Sequence, residues 1–280
     1  MNEPGASADL LIRARSAMLD ALAALEAHRA AVIVIGAQAV YLRTAAAPVA
    51  LAEATKDSDL AVDPRELGED PLIEEAMTRA GFYLNPHTLQ PGSWLSPTGI
   101  PVDLMVPEAL AGSGGSQARG ARIPPHSKKA ARRAAGLEAA LVDNSPMEVL
   151  ALDPADARRY TIKVAGCGAL LVAKLHKIGE RVNDRNPDRL QDKDAHDIYR
   201  ILIDTETDVL AESLEQLRVH EVSAAVTEIA IGLLQQLFGD GPSAIGALMA
   251  GRAETGIGNP ETVALQASFL ADDLSKAVQR

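Results

Sequence analysis

Apolar and polar positions divide the chain into two parts of different texture. Up to about residue 165, short apolar runs alternate with turn residues and helical stretches; beyond it helical periodicity dominates. Leu11, Ala14, Met18, Leu22 and Leu25 recur at helical spacing and predict an amphipathic helix over Leu10–Arg29. Val32–Ile35 is β-branched throughout and predicts a buried strand, ended by Gly36, with a helix beginning over Ala37–Leu42. The Ala-rich Thr44–Ala54 segment, broken at Pro48, reads as a loop or frayed helix. Asp57–Val62 reads as a second strand, Pro71–Ala80 as a helix stopped by a left-handed cap at Gly81, and Phe82–Leu84, Ser93–Leu95 and Ile100–Val106 as strands. Ala111–Gln117 is flexible by composition, and strand-like pieces recur at Val149–Leu152 and Thr161–Val164. Helices follow over Ala169–Arg181, Asp192–Ile203, Val209–Leu217, Ser223–Leu237 and Glu261–Lys276. The expected fold class is therefore α/β (α+β): a mixed sheet with flanking helices over 1–165, then an all-helical part over 166–280.

Composition sharpens this outline in three places. With 280 residues and 47% apolar content, either part can bury a core of its own. The single cysteine, Cys167, excludes an internal disulfide and a cysteine-built zinc site, and reads as a buried structural thiol. No basic-then-apolar segment opens the sequence and the longest apolar run, Ala30–Leu42, is too short to span a bilayer, so the expectation is a soluble, cytoplasmic protein that needs no membrane.

The net charge of −11 argues against a protein that coats nucleic acid indiscriminately. That average hides a local reversal. From Ala109 to Leu137 there is no acid, while Arg119, Arg122, Lys128, Lys129, Arg132 and Arg133 all fall there. Such a run is either a solvated loop that balances an acidic body or a surface for a phosphate backbone.

Candidate chemistry centres on Thr55-Lys56-Asp57-Ser58-Asp59-Leu60. Aspartates two apart on a strand face the same way, and Asp103, inside the apolar run Pro101–Val106, could lie beside them. Three carboxylates on one sheet face repel unless a cation sits among them, and hard oxygen donors suit Mg²⁺ or Mn²⁺. Gly36-Ala37-Gln38, between strand and helix, offers backbone amides to a phosphate; an ordinary strand-to-helix turn has the same residues. Lys174, Lys177 and Arg181 share one helical face; Lys174 either snorkels to solvent or reaches a triphosphate. Asp194 and Asp197 lie one turn apart, with Asp192 available as a cap, and His176, His196, Asp194 and Asp197 are the ingredients of a second metal site. No Walker A loop, Gly-x-Ser-x-Gly elbow, Gly-x-Gly-x-x-Gly turn or His-Glu-x-x-His pair is present, which disfavours P-loop ATPases, serine hydrolases, Rossmann oxidoreductases and zincins.

In these residues the chain resembles the nucleotidyltransferase fold of the DNA polymerase beta superfamily, and more closely the AbiEii/AbiGii-type nucleotidyltransferase toxins, which include the mycobacterial MenT proteins. Ile35-Gly36-Ala37-Gln38-Ala39-Val40 with Arg43-Thr44, then Thr55–Leu60, corresponds to their first block, Asp103 to their third carboxylate, Leu170–Arg181 to their lysine-bearing helix, and Lys193–Tyr199 to their late Asp-bearing helix. The likeness covers roughly residues 30–203; the last quarter has no counterpart in it. It implies Asp57, Asp59 and Asp103 as ligands of Mg²⁺ or Mn²⁺; Gly36, Ala37 and Gln38 at the phosphates; Lys174, Lys177 and Arg181 at the NTP; and Asp194 or Asp197 as a late functional acid. It further implies a helical part that completes the active-site cleft, an RNA acceptor with the tRNA 3′ end as a candidate, and a cognate antitoxin protein. Arg119, Arg122, Lys128, Lys129, Arg132 and Arg133 become the candidate RNA surface. Two departures stand out: Ala37 replaces the family's serine or glycine, and the Gly36–Asp57 gap is lengthened by Thr44–Ala54. Two other readings stay open, a nucleotidyltransferase acting on a small molecule such as an antibiotic, and a degenerate, non-catalytic binding module.

Overall fold

The computed structural model describes residues 4–49, 55–114, 118–182, 184 and 186–279; parts of the two irregular segments, residues 50–54 and 115–117, lie outside these. The chain divides into two compact units, Met1–Ala39 with Ala54–Ala165, and Val40–Glu53 with Gly166–Arg280. The second unit resumes where helical periodicity takes over, but it also claims Val40–Glu53, which the sequence pattern leaves with the α/β part.

The first unit is built on an eight-stranded mixed sheet. Its strands are β1 (Val32–Ile35), β2 (Ser58–Val62), β3 (Tyr83–Leu84), β4 (Ser93–Leu95), β5 (Pro101–Pro107), β6 (Arg132–Ala134), β7 (Asn144–Leu150) and β8 (Arg159–Ala165), in the order β3-β4-β5-β2-β1-β8-β7, with β6 also on β5. All four residues of β1 are buried, as expected of a central strand covered on both faces. It runs antiparallel to β2 and parallel to β8, while β2 runs parallel to β5. The helix α1 (Pro4–Ala24) lies on one face of the sheet: Ser58 Oγ donates to its Ala14 carbonyl at 2.9 Å, and Leu19 and Leu22 are buried. A further helix, α3 (Ile73–Arg79), ends at Gly81, which has the predicted positive φ of 84°.

Two strand assignments differ from the pattern. Asp57 lies just before β2 rather than in it, because the Thr55 hydroxyl bonds its carboxylate at 2.6 Å and turns the chain there. The strand β6, made of Arg132, Arg133 and Ala134, carries no apolar alternation and is held by register alone, Met105 opposite Arg132 and Val106 opposite Arg133. Trp94, the only tryptophan and 2% exposed, donates its indole N–H to the Ala130 carbonyl at 2.9 Å. That bond ties the basic segment leading into β6 to the sheet.

The second unit is helical: α4 (Cys167–Val182), α5 (Asp192–Asp204), α6 (Thr207–Val219), α7 (Ala224–Phe238), α8 (Ile245–Ala253) and α9 (Pro260–Val278). The helix α2 (Gly36–Arg43) begins in the first unit and ends in the second. Arg200 explains why the stretch after α2 belongs here. It is 4% exposed, donates to the Thr44 and Val49 carbonyls at 2.8 and 2.6 Å, and lies 5.9 Å from the Tyr41 ring centre. The pattern misses α8, whose IGALMAGRA sequence interrupts good helix formers with two glycines. Its Gly246 sits where a Cβ would come within 2.6 Å of the Phe238 ring, so packing requires the residue that propensity penalises. Asp192 opens α5 without capping it and pairs instead with Arg252. Cys167, read as buried, is half-buried at the first residue of α4. Among the described residues no helix is long and apolar enough to cross a membrane.

Candidate active site

The register of the sheet decides the geometry of the first cluster. Ile35 pairs with Asp59 across β1 and β2, and Asp59 pairs with Asp103 across the parallel strands β2 and β5. Residues directly paired in a sheet share a face. Asp59 and Asp103 therefore stand side by side on the face opposite Ser58 and α1. Neighbouring strands place such groups about 5 Å apart, where two ionised carboxylates repel by about 3 kcal/mol at an effective dielectric near 20.

Gly36 is the residue that accommodates Asp59. Its φ is +68°, a conformation costly for any side chain, and a Cβ built there would lie 2.1 Å from Asp59 Oδ2 and 2.9 Å from Asp59 Cβ. The carboxylate thus rests against bare backbone at the start of α2. Of the two residues that follow, Ala37 is 8% and Gln38 1% exposed. Gln38 Oε1 accepts a 2.9 Å hydrogen bond from Arg15, a buried guanidinium that desolvation brings down to about 10, while its Nε2 has no partner among the described residues. Its side-chain oxygen is thus taken by a buried arginine.

Asp103 has a cation of its own. Arg132 of β6 reaches its Oδ2 at 2.9 Å, and the same guanidinium nitrogen lies 3.1 Å from Met105 Sδ. Asp57 is bonded to Thr55. For a hard divalent cation the donor chemistry of the Asp59–Asp103 pair fits, being carboxylate oxygen on a rigid sheet. The third ligand is not assembled with them: among the described residues no group of three or more His, Cys, Asp or Glu side chains is arranged to hold a metal ion.

The second cluster lies in the helical unit. Lys174 of α4 is 5% exposed and donates to Asp194 and Asp197 of α5 at 2.8 and 2.5 Å. Lys177 bonds the same Asp194 oxygen at 2.8 Å, and Arg181 lies 3.5 Å from its other oxygen. Burial alone would raise the Asp194 carboxyl, but Lys174 and Lys177 outweigh it and hold the group well below the usual carboxylate range. Burial likewise disfavours the Lys174 ammonium, and Asp194 and Asp197 overcome this, lifting it above the usual lysine range. Lys174 is not a snorkelling cation: its ammonium is enclosed by two acids. Lys177 and Arg181 keep solvent access, at 34% and 23% of their side chains. The second metal site is not formed. His196 Nε2 lies 2.6 Å from Glu254 Oε1 and His176 Nε2 2.8 Å from the Val226 carbonyl, while the acids are taken by Lys174. The charged periodicity of α4 signals the cations, but Glu254, far along the chain and in no motif, gives no signal.

No family model, curated protein or solved structure matches this chain.

The basic segment is split by the fold. Arg119, Arg122, Lys128 and Lys129 are exposed. Arg132 pairs with Asp103, and Arg133 bonds the Gly112 carbonyl at 2.9 Å and lies 3.6 Å from Glu108. The surface available to a phosphate backbone is therefore the first four residues.

Gly36→Ala should lower stability by about 1–3 kcal/mol in denaturant unfolding, since it combines left-handed strain with a steric conflict at Asp59; Ala37→Gly, a neighbouring change without either problem, should cost clearly less. The acid dependence has a definite sign. Because the folded Asp194 carboxyl is depressed, its pairing stabilises fully above the unfolded value near about 4 and fades as pH falls below it. Thermal melts of wild type and Asp194→Asn should therefore differ most above about pH 5, and the gap should narrow steadily as pH falls below about 4. A gap that widens on acidification would show that the pairing does not act as described.

Proposed function

We propose that the chain is an Mg²⁺- or Mn²⁺-dependent nucleotidyltransferase that moves a nucleoside monophosphate from an NTP to an RNA acceptor, with the tRNA 3′ end as a candidate, and that it serves as the toxin of a toxin–antitoxin pair. The observation that carries this reading is the register pairing of Asp59 with Asp103 beside the bare backbone of Gly36. The resemblance of the surrounding segments to the AbiEii/AbiGii-type toxins supplies the reaction class.

In this account Asp59 and Asp103 hold the cation, with Asp57 close in sequence as the further carboxylate. A divalent ion bound there supplies charge stabilisation at the α-phosphate and acidifies the acceptor hydroxyl. The chain's own contribution is positioning. The sheet fixes the spacing of the two carboxylates, and Gly36 lets backbone come close to an anionic group at the start of a helix, where free amides favour it. Lys177 and Arg181 are the proposed phosphate-binding cations of the helical unit, with Asp194 and Asp197 as the acids that orient them and Lys174. Arg119, Arg122, Lys128 and Lys129 are proposed to meet the RNA backbone. One observation favours a different acceptor: with Arg132 and Arg133 engaged internally, the basic surface is small against a net charge of −11, which suits a cationic small molecule such as an antibiotic.

The test is transfer of each α-³²P-labelled NTP in turn onto total cellular RNA with Mg²⁺, beside Asp59→Asn and Asp103→Asn. The expected result is label on a tRNA-sized band, reduced about a hundredfold or more in either variant. Binding of NTP without RNA labelling would move the assignment to the small-molecule acceptor. Absence of both would make the fold a non-catalytic module.

A further inference from the structure

The Arg132–Asp103 contact is placed where a cation would be wanted. Arg132 pairs in register with Met105, two residues from Asp103 on β5, so all three side chains stand on the aspartate face. Its guanidinium lies against Asp103 Oδ2 at 2.9 Å, Met105 Sδ at 3.1 Å and Gln90 Oε1 at 3.5 Å. Its side chain is 27% exposed, against 16% for that of Asp103, so the arginine is the more open of the two to solvent. The backbone of β6 is fixed by its pairing with β5 and by the bridge from Gly120 to Arg132, so the side chain can leave without loss of the strand.

We propose that Arg132 is a built-in competitor for the divalent cation: in the metal-free protein it neutralises Asp103, and metal binding requires that it be displaced. The proposal rests on the reading of Asp59 and Asp103 as metal ligands. It also accounts for an aspartate face on which two carboxylates are register-paired while, among the described residues, no group of three or more His, Cys, Asp or Glu side chains is arranged to hold a metal ion. The divalent ion carries one more positive charge than the guanidinium it replaces, so the exchange also offsets the neighbouring Asp59 carboxylate. The cation takes the place of the guanidinium at Asp103, and the released guanidinium is free to meet a phosphate that arrives with the metal. Arg132 is thus a positioning residue that sets the metal affinity, and the apo enzyme is held in a state that binds metal weakly.

The experiment is titration of the full-length protein with Mn²⁺ alone, free Mn²⁺ being read by electron paramagnetic resonance. Wild type, Arg132→Gln, Arg132→Lys, Asp59→Asn and the Arg132→Gln/Asp59→Asn double variant are compared. The expected result is tighter Mn²⁺ binding in Arg132→Gln by about tenfold, a smaller gain in Arg132→Lys, and loss of the gain in the double variant. If Arg132→Gln does not fold, the ordering of Arg132→Lys against wild type decides. Equal or weaker binding in the Arg132 variants, with wild-type binding abolished by Asp59→Asn, would overturn the competitor while leaving the metal site intact. No Mn²⁺ binding to wild type or to any Arg132 variant would overturn both. Tighter binding that survives Asp59→Asn would place the metal elsewhere and overturn both as well.

Discussion

Two carboxylates held about 5 Å apart by sheet register are a standing electrostatic cost, and the first unit is arranged around it. Asp59 and Asp103 cannot separate without a shift of β2 against β5, and a one-residue slip would turn Ser58, Leu60, Val102 and Leu104 out of the core. The apolar face of the sheet therefore enforces the polar one. Gly36 leaves room for Asp59 and Arg132 answers Asp103, so each acid is accommodated by a different device.

The helical unit meets the same problem differently. Asp194 and Asp197 sit in a helix face otherwise buried with Ile198 and Tyr199, and they remain there because Lys174 enters the core to meet them. Such a buried set is weak evidence for net stability but strong evidence for a fixed geometry, since loss of one member leaves the others charged in a poor solvent. Lys177 and Arg181 extend it to the surface.

Much of this is legible in the chain itself. The VIVI run, the aspartate inside Pro101–Val106 and the i, i+3 and i+4 spacing of Lys174, Lys177 and Arg181 each carry a periodic or compositional signal. Other elements carry none. Arg132 and Arg133 form a strand only because β5 offers an edge, and α8 uses glycines because its neighbours come too close for anything larger. The basic run does not form one surface for the same reason: a charge that finds a partner across the sheet looks in sequence like one that faces solvent. The long-range partners Glu254 and Arg15 are hidden in the same way, since only the fold brings them to His196 and Gln38.

The most direct test is anomalous diffraction from a crystal of the full-length protein soaked in Mn²⁺. The expected result is a peak within coordination distance of both Asp59 and Asp103, with the Arg132 guanidinium withdrawn from Asp103. A peak bound elsewhere, or an Arg132–Asp103 pair that stays closed at saturating Mn²⁺, would contradict the assignment of this face as the metal site.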